Sequence, residues 1–245
     1  MKQILVIATT IAVSISSATA DNVNKEKKTK TKAPIVKEGE TSNSQGVIQI
    51  GLGWGAVIGG ASVTTTSASL TSNERGAGLN GYSGLRVQYG INEMFSAGIY
   101  LRREGAIYAT AGVSSTTNTG SVSATSLAIS GIGAGIEGKF YAVNNRSFAL
   151  YIAPKFGYSS GKDEFLSSNN NSTLLTGKGS GLNYGATLGF NWWWGKHIGM
   201  STDFGYNAST TKFKYTDALY SGFTTKVNNS GFYVGIGLVG KFGGN

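Results

Sequence analysis

The chain has no cysteine, which excludes both a lipidated-cysteine anchor and a disulfide scaffold. Beyond its N-terminus it has no continuous apolar run of the roughly 20 residues that a spanning helix needs. Proline occurs only twice, and the 37 glycines follow no triplet period, so the chain is not collagen-like. Aromatic residues make up 11% of it and are regularly placed, which argues against ordinary disorder. The single histidine and the missing cysteines leave no cluster with metal-ligand spacing. The net charge of +9 is dispersed: residues 21–44 contribute +2 and residues 45–245 contribute +6. With no basic helix or stripe, that excess does not mark a nucleic-acid binder.

The N-terminus sets the compartment. Lys2, the apolar stretch Ile4 to Val13 and the small residues Ala18-Thr19-Ala20 read as a secretory signal peptide, residues 1–20, cut after Ala20. Residues 21–44 are rich in Lys, Thr and Glu and read as a flexible periplasmic tail. Its Lys25, Lys27, Lys28, Lys30 and Lys32 suit either contact with anionic peptidoglycan and inner-leaflet phosphates or a plain solvated linker. Residues 45–245 are expected to form one barrel domain.

From Gly46 to Phe242 the pattern has a period of two, the mark of strands with two different faces. Ala186, Leu188, Phe190, Trp192 and Trp194 share one face, with Thr187, Asn191 and Trp193 on the other. Eight runs follow this pattern: 46–60, 79–91, 94–104, 125–141, 148–160, 180–194, 198–211 and 230–242. Three short connections alternate with four long polar ones, 61–78, 105–124, 161–179 and 212–229, so every long loop leaves from the same end. An outer-membrane barrel, with short periplasmic turns and long extracellular loops, has this layout. The face bearing Leu, Ile and Phe is too aromatic for water, and its opposite is too polar for a dry core. The apolar side therefore looks outward into lipid.

Trp192 and Trp194, with Phe148 and Phe242, are expected as a girdle at the short-turn interface. Tyr141 lies at the same end but on the opposite parity, and Trp193 points into the bore. Together the strand count, the alternating loops, the signal peptide and the final strand "SGFYVGIGLVGKF" resemble the OmpA/OmpX-type outer-membrane β-barrel family over residues 46–242. The resemblance implies an all-β, eight-stranded antiparallel transmembrane β-barrel, an up-and-down meander in the outer membrane of a Gram-negative bacterium. Roles in that family range from structural and adhesive to resistance and narrow channels. Gly243-Gly244-Asn245 after the last aromatic is a departure from its pattern.

By parity, Arg86, Arg102, Glu104, Glu137, Lys139, Lys155, Asp203 and Lys241 point into the bore. An eight-stranded barrel is just wide enough to be filled by side chains, and an isolated charge there costs several kcal/mol. A stacked ion-pair network is therefore expected, with a charge-lined anion path as the alternative. In the fourth long loop Lys212, Phe213, Lys214, Tyr215, Tyr220, Phe223 and Lys226 interleave aromatics with lysines. These could contact lipopolysaccharide phosphates or an extracellular protein partner, or simply extend the strands. "GLGWGA", "GAGIEG" and "GIGLVG" match a dinucleotide fingerprint but lack the following helix. His197, the only histidine, sits in a short turn without a carboxylate nearby, which leaves no catalytic triad. The expectation is a non-catalytic protein without cofactor, in contact with outer-membrane lipids and lipopolysaccharide. It serves envelope integrity or surface interaction, with a small porin-like channel as the rival.

Overall fold

A sheet with one greasy and one polar face loses its exposed edges only by closing on itself. The computed structural model, which describes residues 41–67, 71–114, 121–166, 173–215 and 222–243, shows this closure. The strands are β1 (Ile48–Thr66), β2 (Thr71–Asn92), β3 (Phe95–Ser114), β4 (Ser121–Asn144), β5 (Phe148–Leu166), β6 (Thr173–Trp193), β7 (Ile198–Tyr215) and β8 (Thr224–Phe242). Each pairs antiparallel with the next, and β8 closes on β1 from Ile48↔Phe242 to Thr66↔Thr224. Among the described residues no helix is long and apolar enough to cross a membrane. The expected signal peptide and the expected tail up to residue 40 lie outside the described residues.

Sidedness is inverted relative to a soluble barrel. Adjacent residues of β4 decide it: Ile136 is 64% exposed while Glu137 is 4% exposed. Its outward neighbours across the sheet, Ile99 on β3 and Phe156 on β5, are exposed as well. A continuous apolar band thus faces outward, where only acyl chains solvate it well.

The strands run from 18 to 24 residues, about twice the 9–11 needed to cross a bilayer. This corrects the long polar loops expected from sequence. Most of residues 61–78, 105–124, 161–179 and 212–229 continue the strands, and the ladders run on to Thr66↔Thr71 and Ser114↔Ser121. The outward side chains turn polar where the wall leaves the lipid, which looks like loop in sequence. Thr and Val and the absence of proline nevertheless keep the backbone pairing. The short turns at the other end stand as expected, between Asn92 and Phe95, Asn144 and Phe148, and Trp193 and Ile198.

Candidate functional site

The bore is filled in layers, starting from a clasp at the turn end. The tail expected to be free as far as Ser44 ends docked: Ser42 and Asn43 are fully buried. The Asn144 side chain makes several of the bonds that hold them. Asn144 Oδ1 accepts from Ser42 Oγ at 2.7 Å and from the Asn43 amide at 2.9 Å, and its Nδ2 donates to the carbonyls of Asn43 and Glu93. Asn43 Nδ2 in turn donates to the Asn92 carbonyl at 2.7 Å. Gly46, at φ 81°, turns the chain from this clasp into β1, and its amide donates to the Gly90 carbonyl. A side chain at Gly90 would strike the Ser44 carbonyl. Sequence reasoning missed the clasp because polar residues such as Ser42, Asn43 and Asn144 carry no hydrophobic signal.

Above it lies an amide layer. Gln49, Gln88, Ser96, Tyr141 and Asn191 are buried together, with Asn191 Nδ2 donating to Gln49 Oε1 at 3.4 Å. Tyr141 faces inward, as its parity says, and meets Tyr151 edge-on at 5.7 Å. Trp193 is buried at this mouth, with Lys241 Nζ 4.9 Å from its ring centre.

The charged layer follows: Glu137, Lys139 and Asp203 are buried, Arg86, Arg102, Glu104 and Lys155 are half-buried, and Lys241 is half-buried at the mouth below. Arg86 sits between two carboxylates, 2.7 Å from Asp203 and 3.9 Å from Glu137. Tyr151 OH donates to Asp203 at 2.9 Å, and Gln88 Nε2 donates to Glu137 at 2.9 Å. Arg102 pairs with Glu104 at 2.6 Å, and Ser159 Oγ also donates to that carboxylate. Arginine suits both places because its planar fork stays charged and serves several acceptors.

The lysines depart from the expected stack of ion pairs. Lys139 lies over the Tyr151 ring at 4.3 Å and Lys155 over Tyr233 at 4.0 Å, and Arg102 covers Tyr82 at 4.3 Å. Inward tyrosines present π-faces that attract cations in a desolvated site. Those tyrosines were the available signal, since their parity places them beside the lysines.

The outer part of the bore carries an apolar cluster. Val63, Leu127, Tyr108, Phe213, Tyr215 and Val227 form the bulk of one buried cluster, and Phe223 packs against it. Phe213 and Tyr215, expected as outer contact residues, are therefore turned inward. Their strand continues past the membrane, and alternation sends Lys212 and Lys214 outward instead. Lys226 also has outward parity, between buried Thr225 and Val227. Tyr220 lies outside the described residues. Tyr215 OH donates to Asp163 Oδ2 at 2.6 Å and contacts Thr225 Oγ1 at 2.8 Å. Asp163 lies above the apolar band, and burial raises its carboxyl above the ordinary value against the lowering pull of the Tyr215 hydrogen bond.

Trp192, Trp194, Phe148 and Phe242 are exposed at the turn end of the outer wall. The three glycine motifs all lie within β1, β4 and β8. His197 is exposed, its Nδ1 3.0 Å from the Lys241 carbonyl. No group of three or more His, Cys, Asp or Glu able to hold a metal occurs among the described residues.

No family model and no curated protein matches the chain. Solved structures do. The chain is similar to the outer membrane protein OprG from Pseudomonas aeruginosa, at 14% identity and a TM-score of 0.54, over 82% of this chain and 98% of that one. The N-terminal β-barrel domain of OprF from the same species matches at 9% identity and a TM-score of 0.33, over 82% and 100%. The outer membrane protease OmpT from Escherichia coli matches at 11% identity and a TM-score of 0.39, over 84% and 100%. The OprG likeness carries the fold alone: this chain has the eight-stranded β-barrel fold of Gram-negative outer-membrane proteins.

Proposed function

We propose that this outer-membrane barrel is a closed, non-catalytic scaffold, serving envelope integrity or surface interaction through its outer rim. One observation carries the reading: the apolar cluster around Leu127, Phe213 and Tyr215 fills the outer bore. An ion crossing it would lose most of its water among apolar side chains, with Asp163 and Thr225 beside Tyr215 as polar neighbours on one side, at a cost of several kcal/mol. Below, the charges are bound to one another and to tyrosine rings, and the clasp of Ser42, Asn43 and Asn144 covers the turn end. Outer-membrane lipids and lipopolysaccharide are the expected surroundings of the wall, and the rim is what an extracellular protein partner would meet.

Planar-bilayer recording on refolded protein tests this. The expected trace is flat for the parent and gains steps in the double variant Leu127→Ala/Phe213→Ala, which hollows the plug. Stepwise, ion-selective conductance of the parent would overturn the closed-scaffold reading in favour of the porin-like one.

A further inference from the structure

Two features of the outer wall that the bore does not use meet at one residue, Lys162. The first is an open groove of about 950 Å³ that crosses the wall from β1 to β5. Leu52, Trp54, Leu85, Leu101 and Ile132 give it apolar lining, and Arg103 and Lys162 bring charge to it. The pairing register fixes its direction. Trp54 faces Ser83, Ser83 faces Arg103, Arg103 faces Ile132 and Ile132 faces Ser160. This row starts in the turn-end half of β1 and finishes in the outer half of β5. Because strands of a closed barrel are tilted, the groove climbs from the depth of the apolar band to its outer margin. Beside it, opposite Ser130 of the lining, a Cβ on Gly105 would meet no atom within 4 Å, so the outer face is open there.

Arg103 points outward among these apolar residues and forms no ion pair among the described residues. A guanidinium facing lipid costs about 2–4 kcal/mol at the bilayer midplane and less toward the interface. An anion in the groove would offset that cost.

The second feature is a ladder of lysines. Lys162 on β5 stands opposite Lys178 on β6, and Lys178 stands opposite Lys214 on β7. On the neighbouring row Lys212 stands opposite Lys226 of β8. Like charges directly opposite in a sheet repel. The carboxylate nearest in register is Glu164, which stands opposite Thr176. None of the five lysines has an ion pair among the described residues.

We infer that this wall binds one lipid bearing more than one phosphate, an inference that rests on the outer-membrane reading above. Its phosphates sit on the Lys162–Lys178–Lys214 ladder, and an acyl chain runs down the groove toward Trp54. Phosphate oxygens accept charge-assisted hydrogen bonds and screen the repulsion between facing ammonium groups. Three ammonium groups in line, with Arg103 two strands from Lys162 in the same groove, match a spread of phosphates better than a single one. A soluble anion would meet the ladder but leave the groove bare.

The test uses full-length barrel, refolded and delipidated in detergent. It is offered bisphosphorylated lipid A, monophosphorylated lipid A or phosphatidylcholine, and retained lipid is counted by native mass spectrometry. One bisphosphorylated molecule per barrel is expected, with retention of the monophosphorylated lipid about tenfold weaker, as loss of one charge-assisted contact gives, and none of phosphatidylcholine. Lys178→Ser/Lys214→Ser relieves repulsion, so the barrel still closes, and it weakens retention about tenfold or more. Gly105→Leu sets a bulky side chain beside the groove at Ser130 and weakens lipid retention while leaving the binding of inorganic pyrophosphate unchanged. Equal retention by the parent and both variants, or indifference to the second phosphate, overturns the inference. Each variant is first required to close and to stay non-conducting, so failure here is separate from failure of the closed-scaffold reading, which conductance decides.

Discussion

Arg86 is the residue on which the bore's electrostatics turn. Its two carboxylate partners are almost sealed from water, with side-chain exposures of 1% for Asp203 and 2% for Glu137, whereas Glu104 beside Arg102 keeps 19%. Removing one member of a buried pair leaves the other charged and unsolvated. Arg86→Met is therefore expected to cost about 3–5 kcal/mol, and Arg102→Met distinctly less, both measured by urea unfolding in lipid vesicles. Equal losses would show that burial of the partner does not decide the cost. Asp163 works with the opposite sign. Burial raises its carboxyl above the usual value, so the folded protein holds that proton more tightly than the unfolded chain does. The contribution to stability falls as pH rises from the ordinary carboxylate value through the raised one. Asp163→Asn is expected to be at least as stable as the parent at neutral pH, with the gap closing as pH falls toward about 4. A variant that is weaker at neutral pH would show that the ionised carboxylate is instead stabilised by Tyr215.

Among the elements, the seam between β1 and β8 turns a ribbon into a ring. Gly59 and Gly231 face each other across it, and a Cβ on Gly59 would run into the Ser230 carbonyl and the Gly231 Cα. Gly59→Val is expected to hinder closure, at a cost of about 2 kcal/mol or more. It would appear as a reduced fraction of the compact, heat-modifiable band on unboiled gels. Gly105→Leu, with open space outside the sheet, is expected to close like the parent. If the two behaved alike, steric crowding at the seam would not be what holds Gly59 to glycine. The strands themselves overshoot the bilayer, and their outer ends carry both the plug residues inward and the lysine ladder outward.

For the whole molecule, the distribution of apolar surface is decisive. Ile99, Ile136 and Phe156 form an exposed outward patch on three adjacent strands. If lipid covers it, Ile136→Lys is expected to destabilise the barrel in bilayers by about 2–4 kcal/mol. In a water-solvated barrel the same change would be neutral or favourable, so unfolding of the pair in vesicles separates the two cases. A parent protein that proved monomeric in water without detergent would contradict the inverted sidedness directly.

The amino-acid sequence by itself determined the ring and its sidedness. Period-two alternation from Gly46 to Phe242 places each residue inside or outside, and it put Glu137, Asp203 and Trp193 in the bore and Trp192 and Trp194 outside it. Alternation is local, because adjacent side chains of an extended chain must point to opposite faces. Register and strand length are not local. Only the closed pairing decided that Phe213 and Tyr215 meet Leu127 as a plug, and that Lys139 and Lys155 settle on tyrosine rings. It alone brought Asn144 to Asn43 and aligned Lys162, Lys178 and Lys214 from three strands in one row. Those neighbours lie far apart in the chain, and nothing short of the closed hydrogen-bond ladder specifies which of them stand opposite one another.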